Sequence, residues 1–298
     1  MIGAIIVLYH PKENLLSRLL NSLENQVNRI YIIDNTTINA INNYNTHFDS
    51  HKIFYKSLGK NHGIAKAQNE GINLALADGC EHVLLLDQDS YLSSDMVSEL
   101  VNTEKKLKES GKKVAAIGPL FIDEKNGLAA SAIRHSFMHV KKISANTNTT
   151  HPIEADYIIS SGSLINATTL KEIGLMMEEL FIDWVDIEWG LRAKNKGYSC
   201  FINPSTIMNH SIGDETVSVA GKSINLHNTI RNYYIVRNAT YLLRKKHMGW
   251  NWRSTTLLKI PQYIVFYSLH DPKKLRSLYV LTKAFLHGLI GKTGPIPS

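Results

Sequence analysis

An α/β fold with a mostly parallel central sheet is what this sequence predicts, on three observations. Short apolar runs alternate with stretches of helical period as far as about residue 120. Strands alternating with helices imply βαβ units, whose crossovers make neighbouring strands parallel. Two of the runs end in acids, at Asp34 and at Asp87-Gln88-Asp89, and ligands bind beyond the carboxyl ends of such strands. The 298 residues, 44% apolar and 20% charged, allow one large domain or a domain with an appendage. They exclude disorder, collagen or coiled coil for most of the chain.

In chain order, Ile2–Leu8 is a continuous β-branched run closed by Pro11, which suits a strand buried on both faces. Leu15, Leu16, Leu19, Leu20 and Leu23 give residues 12–25 helical spacing. Arg29–Ile33 is a second strand, ending at Asp34-Asn35, and Lys52–Lys56 a third. Residues 62–77 read as a helix, His82–Leu86 as a fourth strand, and 94–109 as a helix with a charged face. Val114–Ile117 is a strand stopped by Gly118-Pro119. Residues 143–151 are a polar loop, and Tyr157–Ser163 a strand running into a Ser-Gly-Ser turn. A helix over 183–196, a strand over Tyr198–Ile202 and a helix over 226–246 follow, broken at Gly249-Trp250.

Cys80 and Cys200 are too few for a disulfide scaffold or a cysteine-rich zinc module, and they fit a reducing cytosol. The N-terminus lacks the basic region and cleavage site of a secretory signal. The most apolar windows, 255–269 and 277–290, are broken by Lys259 with Pro261 and by Lys283 with His287. Neither reaches the ~18 uninterrupted apolar residues of a spanning helix. The net charge is +7, and residues 244–292 hold ten basic side chains and one acid, Asp271. That basic, aromatic-rich segment reads as a module with its own partner, either an anionic membrane surface or a packing or dimer interface.

No Gly-x-Gly-x-x-Gly follows the first strand and no Gly-Lys-Ser/Thr occurs, which disfavours a dinucleotide site and a P-loop. Asp87 and Asp89 suit a divalent cation shared with a diphosphate, since hard cations take oxygen ligands. The competing explanation is a helix cap, with Ser90, Ser93 or Ser94 opening the next helix. In Phe181–Arg192, Trp184, Ile187 and Leu191 form an apolar stripe while Asp183 and Asp186 share another face. A capping box from Asp183 to Asp186 explains that geometry but not three acids beside two tryptophans. His210 is a structural histidine, or a further metal ligand where a carboxylate-bound cation is near.

Further pieces are Ala4-Ile5-Ile6-Val7-Leu8-Tyr9, Asn61-x-Gly63-Ile64-Ala65-x-Ala67-x-Asn69, Ser161-Gly162-Ser163, His210-Ser211-Ile212-Gly213-Asp214 and Arg231-x-Tyr233-Tyr234-x-x-Arg237-Asn238. With the acid clusters, in this order, they make residues 3–245 resemble the family-two glycosyltransferases of the A-type fold. Within them the chain is most similar to the rhamnosyltransferases that build bacterial surface polysaccharides. The resemblance implies a catalytic domain over 1–245, with a nucleotide-binding half at 1–120 and an acceptor half at 121–245. Residues 246–298 would be a basic helical tail.

It also implies roles. Asp34 would hydrogen-bond the nucleobase, with Tyr9 in the same pocket. Asn61, Lys66 and Asn69 would lie along the nucleotide. Asp87 would face the ribose or metal, Asp89 would ligate Mg²⁺ or Mn²⁺, and His210 would contact the metal or diphosphate. Asp186 would be the catalytic base, although Val185 stands where many members carry a second acid. The expected reaction is inverting transfer from dTDP-L-rhamnose to a glycan or polyprenyl-linked acceptor. The expected location is cytoplasmic, with the inner membrane's cytoplasmic face as a docking surface. Alternatives are a UDP-galactose or UDP-glucose donor, or a non-catalytic glycan-binding or sugar-nucleotide-binding protein. Nucleic-acid binding through the tail has aromatics for stacking but no accompanying motif.

Overall fold

The computed structural model describes residues 1–37, 51–123, 129, 131–136, 139–144, 149–210, 215–219 and 222–296. Its centre is β1 (Ile2–Leu8), flanked by β2 (Arg29–Asp34) and β4 (His82–Asp87), both parallel to it. β3 (Ile53–Ser57) extends the parallel sheet beyond β2. On the other side β9 (Ser163–Asn166) runs antiparallel between β4 and β5 (Val114–Asp123). β10 (Ser199–His210) lies parallel to β5 and carries β8 (Ile153–Ala155) at the edge. The eight-stranded order is β3-β2-β1-β4-β9-β5-β10-β8. Hairpins of β6 (Ala132–Ser136) with β7 (His139–Ile143), and of β11 (Glu215–Val219) with β12 (Lys222–Leu226), stand apart.

β1 shows why an unbroken apolar run was required. Ala4, Ile6 and Leu8 pack with α1 (Glu13–Leu23) and α3 (Met96–Glu109) on one face of the sheet. Ile5 and Val7 alternate to the other face. There they meet α2 (Ile64–Ala77) and the core shared with α5 (Val185–Asn195) and α6 (Thr229–Leu242).

Two expectations change. Gly118-Pro119 does not stop β5, because Pro119 sits opposite Asn203 where the β10 ladder bulges before Ile207. A bulge is where a strand tolerates a residue without an N–H. The strand expected over Tyr157–Ser163 instead begins at Ser163 and runs antiparallel. The hairpin over 215–226 went unread, since two five-residue runs are too short to separate from loop by periodicity. Residues 145–148 of the expected polar loop lie outside the described residues.

The chain beyond 245 packs continuously on the body. α7 (Trp250–His270) and α8 (Lys274–Ile290) both pack on α6. α8 approaches with its small face, burying Ser277, Leu281, Ala284, His287 and Gly288. A Cβ on Gly288 would lie 2.5 Å from Thr240 and 2.6 Å from the Arg237 carbonyl, so only glycine permits this approach. The apolar stripe Leu275, Leu278, Tyr279, Leu286, Leu289 and Ile290 consequently points outward and is exposed. Among the described residues no helix is long and apolar enough to cross a membrane.

Candidate active site

The register aligns the tips of three strands. Leu8 pairs with Asp34 and Val7 with Asp87, so the residues after β1 and the two acids share one edge of the sheet. Gln88 ties two tips together: its Oε1 accepts from Tyr9 N at 2.8 Å and its Nε2 donates to Tyr9 O at 3.1 Å. The Tyr9 ring remains 49% exposed.

Asp34 is buried at 1% exposure. Its Oδ1 accepts from Thr36 N and Oγ1, and its Oδ2 from the Tyr55 hydroxyl at 2.7 Å. Three of roughly four lone-pair directions are thus filled, and Asp34 primarily fixes the turn after β2. Asn61 Oδ1 accepts from Asn35 Nδ2 at 3.0 Å and from Gly63 N at 2.9 Å, joining that turn to the start of α2.

Two expected nucleotide contacts on α2 point elsewhere. Asn69 is buried, donating to Met176 O and Glu178 Oε1 and accepting from Met176 N, all at 2.9 Å. It clamps α2 to residues 176–178 and presents no free amide. The Lys66 ammonium lies between Glu70, at 3.7 Å, and Glu178, at 3.4 Å.

The Asp87-Gln88-Asp89 turn is not a helix cap. The α3 N-cap is Asp95, which makes no side-chain cap bond. Ser90 is buried, 2.7 Å from the Ser161 hydroxyl, which also accepts from Asp87 N. Gly162 N donates to Leu85 O, so the Ser-Gly-Ser turn supports the acidic turn from below. Asp89 projects from it, exposed.

The second cluster overturns the capping-box alternative. The residue before α5 is Trp184, in a left-handed conformation and without a side-chain cap bond. Phe181, Asp183 and Trp184 all have positive φ, at 66°, 60° and 66°. Such residues cost on the order of 1–3 kcal/mol each and persist only where the surroundings enforce them. The enforcement comes from α6. Asn238, fully buried, donates through Nδ2 to the carbonyls of Leu180, Ile182 and Asp183 at 2.8–3.1 Å. Trp184 Nε1 donates to Ile235 O, and Phe181 stacks on Tyr234 at 5.0 Å. Gly63, at φ +87°, lets α2 meet the turn: Ile64 N donates to Phe181 O, where a Cβ on Gly63 would stand 2.4 Å away.

This turn separates the three acids. Asp183 is ion-paired with Arg231 at 3.2 Å. Glu188, wholly buried, is bound by Arg192 at 2.9 Å and His247 at 2.7 Å. Asp186 is half-buried, and its Oδ1 accepts the Ile187 N–H at 2.9 Å. Among the described residues it has no ion-pair partner. Burial pushes its carboxyl up to about 6, with the Asp183 and Asp87 charges acting in the same direction and two backbone N–H groups opposing. Asp87, at the strand tip, is thus among the charges that act on Asp186.

A divalent cation fits the strand tip. Asp87 and Asp89 supply hard carboxylate oxygens at an open edge. Mg²⁺-type ions are held by one or two carboxylates plus substrate phosphates rather than by an all-protein cage. The described residues contain no cluster of three His, Cys, Asp or Glu able to hold a metal by themselves. His210 ends β10 opposite Asp123. Its side chain, and residues 211–214, lie outside the described residues.

Ser161, Gln88, Arg237 and Asn238 received no role from sequence, although all but Gln88's clamp had a signal. Polar residues inside a helix that is otherwise buried, as α6 is, must be satisfied by something specific.

An α/β sheet that gathers carboxylates at the tips of its parallel strands is the architecture on which nucleotide-sugar-dependent transferases are built. Residues 4–173 match the family described as glycosyl transferase family 2, and the chain belongs to that family. It is 34% identical to the "dTDP-rhamnosyl transferase RfbF" of Shigella flexneri, over 98% of this chain and 97% of that protein. It is 23% identical to the "Low-salt glycan biosynthesis hexosyltransferase Agl10" of Haloferax volcanii, over 98% and 92%. Among solved structures it resembles GalNAc-T7 with UDP, GalNAc and Mn²⁺, at TM-score 0.62 and 13% identity, over 98% of this chain and 56% of that one. It also resembles S. aureus TarS 1-349 in complex with UDP-GlcNAc, at TM-score 0.59 and 14% identity, over 97% and 81%.

Proposed function

We propose that this glycosyltransferase moves an L-rhamnosyl unit from dTDP-L-rhamnose to a hydroxyl of a glycan acceptor, with inversion, during surface-polysaccharide synthesis. The observation that carries the mechanism is Asp186, the one acid of its turn without an ion pair among the described residues. The donor assignment rests on the full-length similarity to the Shigella flexneri dTDP-rhamnosyl transferase.

Asp186 takes the acceptor hydroxyl proton as that oxygen bonds to the sugar's anomeric carbon. The bond to the nucleoside diphosphate breaks on the opposite face, so a β-linked donor yields an α-rhamnoside. A base raised to about 6 is ionised at neutral pH and still basic enough to matter, a contribution of ~10²–10⁴-fold. Asp87 and Asp89 would hold Mg²⁺ or Mn²⁺, which would offset the charge on the departing diphosphate. Tyr9 offers its exposed ring to the base, and Asp34 acts by fixing Thr36. A thermal-shift screen of dTDP- and UDP-sugars with Mn²⁺ tests the donor, since a ligand stabilises the state that binds it. Stabilisation by dTDP-rhamnose above all is the expected result. Stabilisation by UDP-sugars alone overturns the rhamnosyl reading and leaves the family intact.

The acceptor side is proposed to lie at an anionic membrane. α7 exposes Leu257, Leu258, Val265 and Leu269, and α8 its outward leucine stripe. Exposed Lys274, Arg276 and Lys283 flank that stripe. Apolar faces edged by cations suit an anionic interface. Leu275→Asp with Leu286→Asp should abolish co-sedimentation with phosphatidylglycerol vesicles at low salt. Wild-type protein that ignores those vesicles and sediments as a dimer assigns the stripe to a second copy instead.

A further inference from the structure

Arg237 makes contacts that the reaction as described does not use. It is 1% exposed, and both of its Nη atoms donate to carbonyls. Its Nη2 donates to Leu180 O at 3.0 Å, at the base of the strained turn. Its Nη1 donates to Lys292 O at 3.2 Å and Gly294 O at 3.1 Å, in the segment after α8. Among the described residues its Nε has no hydrogen-bond partner. A buried guanidinium is costly unless its donors are satisfied, so it depends on both segments at once.

The later segment grips the same place by two more bonds. Gly294 N donates to Glu179 O at 2.9 Å. Ile296 N donates to the Tyr234 hydroxyl at 2.9 Å. Tyr234 is the ring on which Phe181 stacks, and the Arg237 guanidinium lies 5.2 Å from its centre. Residues 292–296 therefore meet the catalytic turn through Glu179 directly and through Arg237 and Tyr234 on α6.

We infer that residues 292–296 form a strap that positions the 180–184 turn, with Arg237 as the positioning residue that couples strap to turn. The inference rests on the assignment of Asp186 as base. The turn carries three left-handed non-glycine residues immediately before Asp186, and such a conformation is retained only while its carbonyls stay held. Asn238 holds three of them, and Arg237 shares the Leu180 carbonyl with it. Release of the strap leaves the buried guanidinium short of two acceptors. It then swings toward other carbonyls and loosens the turn. The chain beyond α8 thus belongs to the catalytic machinery, not only to a surface module.

The test is the full-length double variant Tyr234→Phe with Gly294→Val. The first change keeps the ring that stacks on Phe181 and removes the acceptor for Ile296 N. The second opposes φ +76° where no atom lies near the new Cβ, so it acts through the backbone alone. Misplacing a positioned group by about 1 Å costs on the order of 10²-fold. We expect kcat to fall roughly 10-fold to 100-fold, with donor KM and the stoichiometry of nucleoside diphosphate binding unchanged. Unchanged kcat overturns the inference. So does a loss of kcat in proportion to binding stoichiometry, which marks lost folded protein. Asp186→Asn in the same assay isolates the underlying reading: if it keeps turnover, the base assignment fails, whatever the double variant does.

Discussion

The strand-tip half of the site and the turn half hold their acids in opposite ways. Asp34 and Asp87 end regular parallel strands on either side of β1, and register alone brings both to one end of the sheet. Asp186 follows a turn with three left-handed residues and depends on Asn238 and Arg237, more than fifty positions later. Ordinary backbone geometry gives the first pair a cheap, robust placement. The second placement is expensive, and a buried polar clamp offsets its strain. The clamp places Asp186 half-buried and without an ion pair among the described residues, whereas Asp34, buried at its strand tip, is held by Thr36 and Tyr55.

The sharpest way to break this comparison is Asp186→Asn. Turnover should fall by ~10²-fold or more, while donor affinity stays within a few-fold of wild type. Stability should move the other way. A carboxyl raised to about 6 in the folded chain, against about 4 unfolded, binds more protons when folded between those values. Its ionisation therefore costs stability as pH rises from about 4 through 6. The variant should melt above wild type at pH 8, by up to about 3 kcal/mol, and the gap should close as pH falls to about 4. A variant that melts below wild type at pH 8 would show that Asp186 is a structural acid. Wild-type turnover should itself decline as pH drops through about 6.

Asp89→Ala probes the cheap half. Turnover should fall about 10²-fold, as for other electrostatic stabilisers of a leaving group. The divalent dependence of nucleoside diphosphate binding should vanish in calorimetry. Stability should stay within about 0.5 kcal/mol, because the side chain is exposed. Equal metal dependence in variant and wild type would remove Asp89 from the site.

Asn69→Ala gives the smallest catalytic effect and sharpens the boundary between site and scaffold. Losing its bonds to residues 176–178 should cost roughly 1–3 kcal/mol. Donor KM should not change. A raised KM at unchanged melting temperature would return Asn69 to the nucleotide, as its motif first suggested.

The sequence by itself determined the βαβ half. Apolar runs of strand length, separated by helical period, leave little choice of topology, and acids at run ends fall on the ligand edge. Through the resemblance to the family it also drew attention to Asp186, Arg237 and Asn238. Three matters were decided only by tertiary structure. Pro119 could stay in β5 because β10 bulges opposite it. Asp183 was no cap, because Arg231 and the carbonyl clamp hold it in a conformation no local rule favours. And α8 turned Leu275, Leu278, Leu286 and Leu289 outward because Ser277, Ala284 and Gly288 allow a closer approach to α6 than leucine at those places could. Each is a choice between local preferences of about 1 kcal/mol, and contacts far away in sequence outweigh preferences of that size.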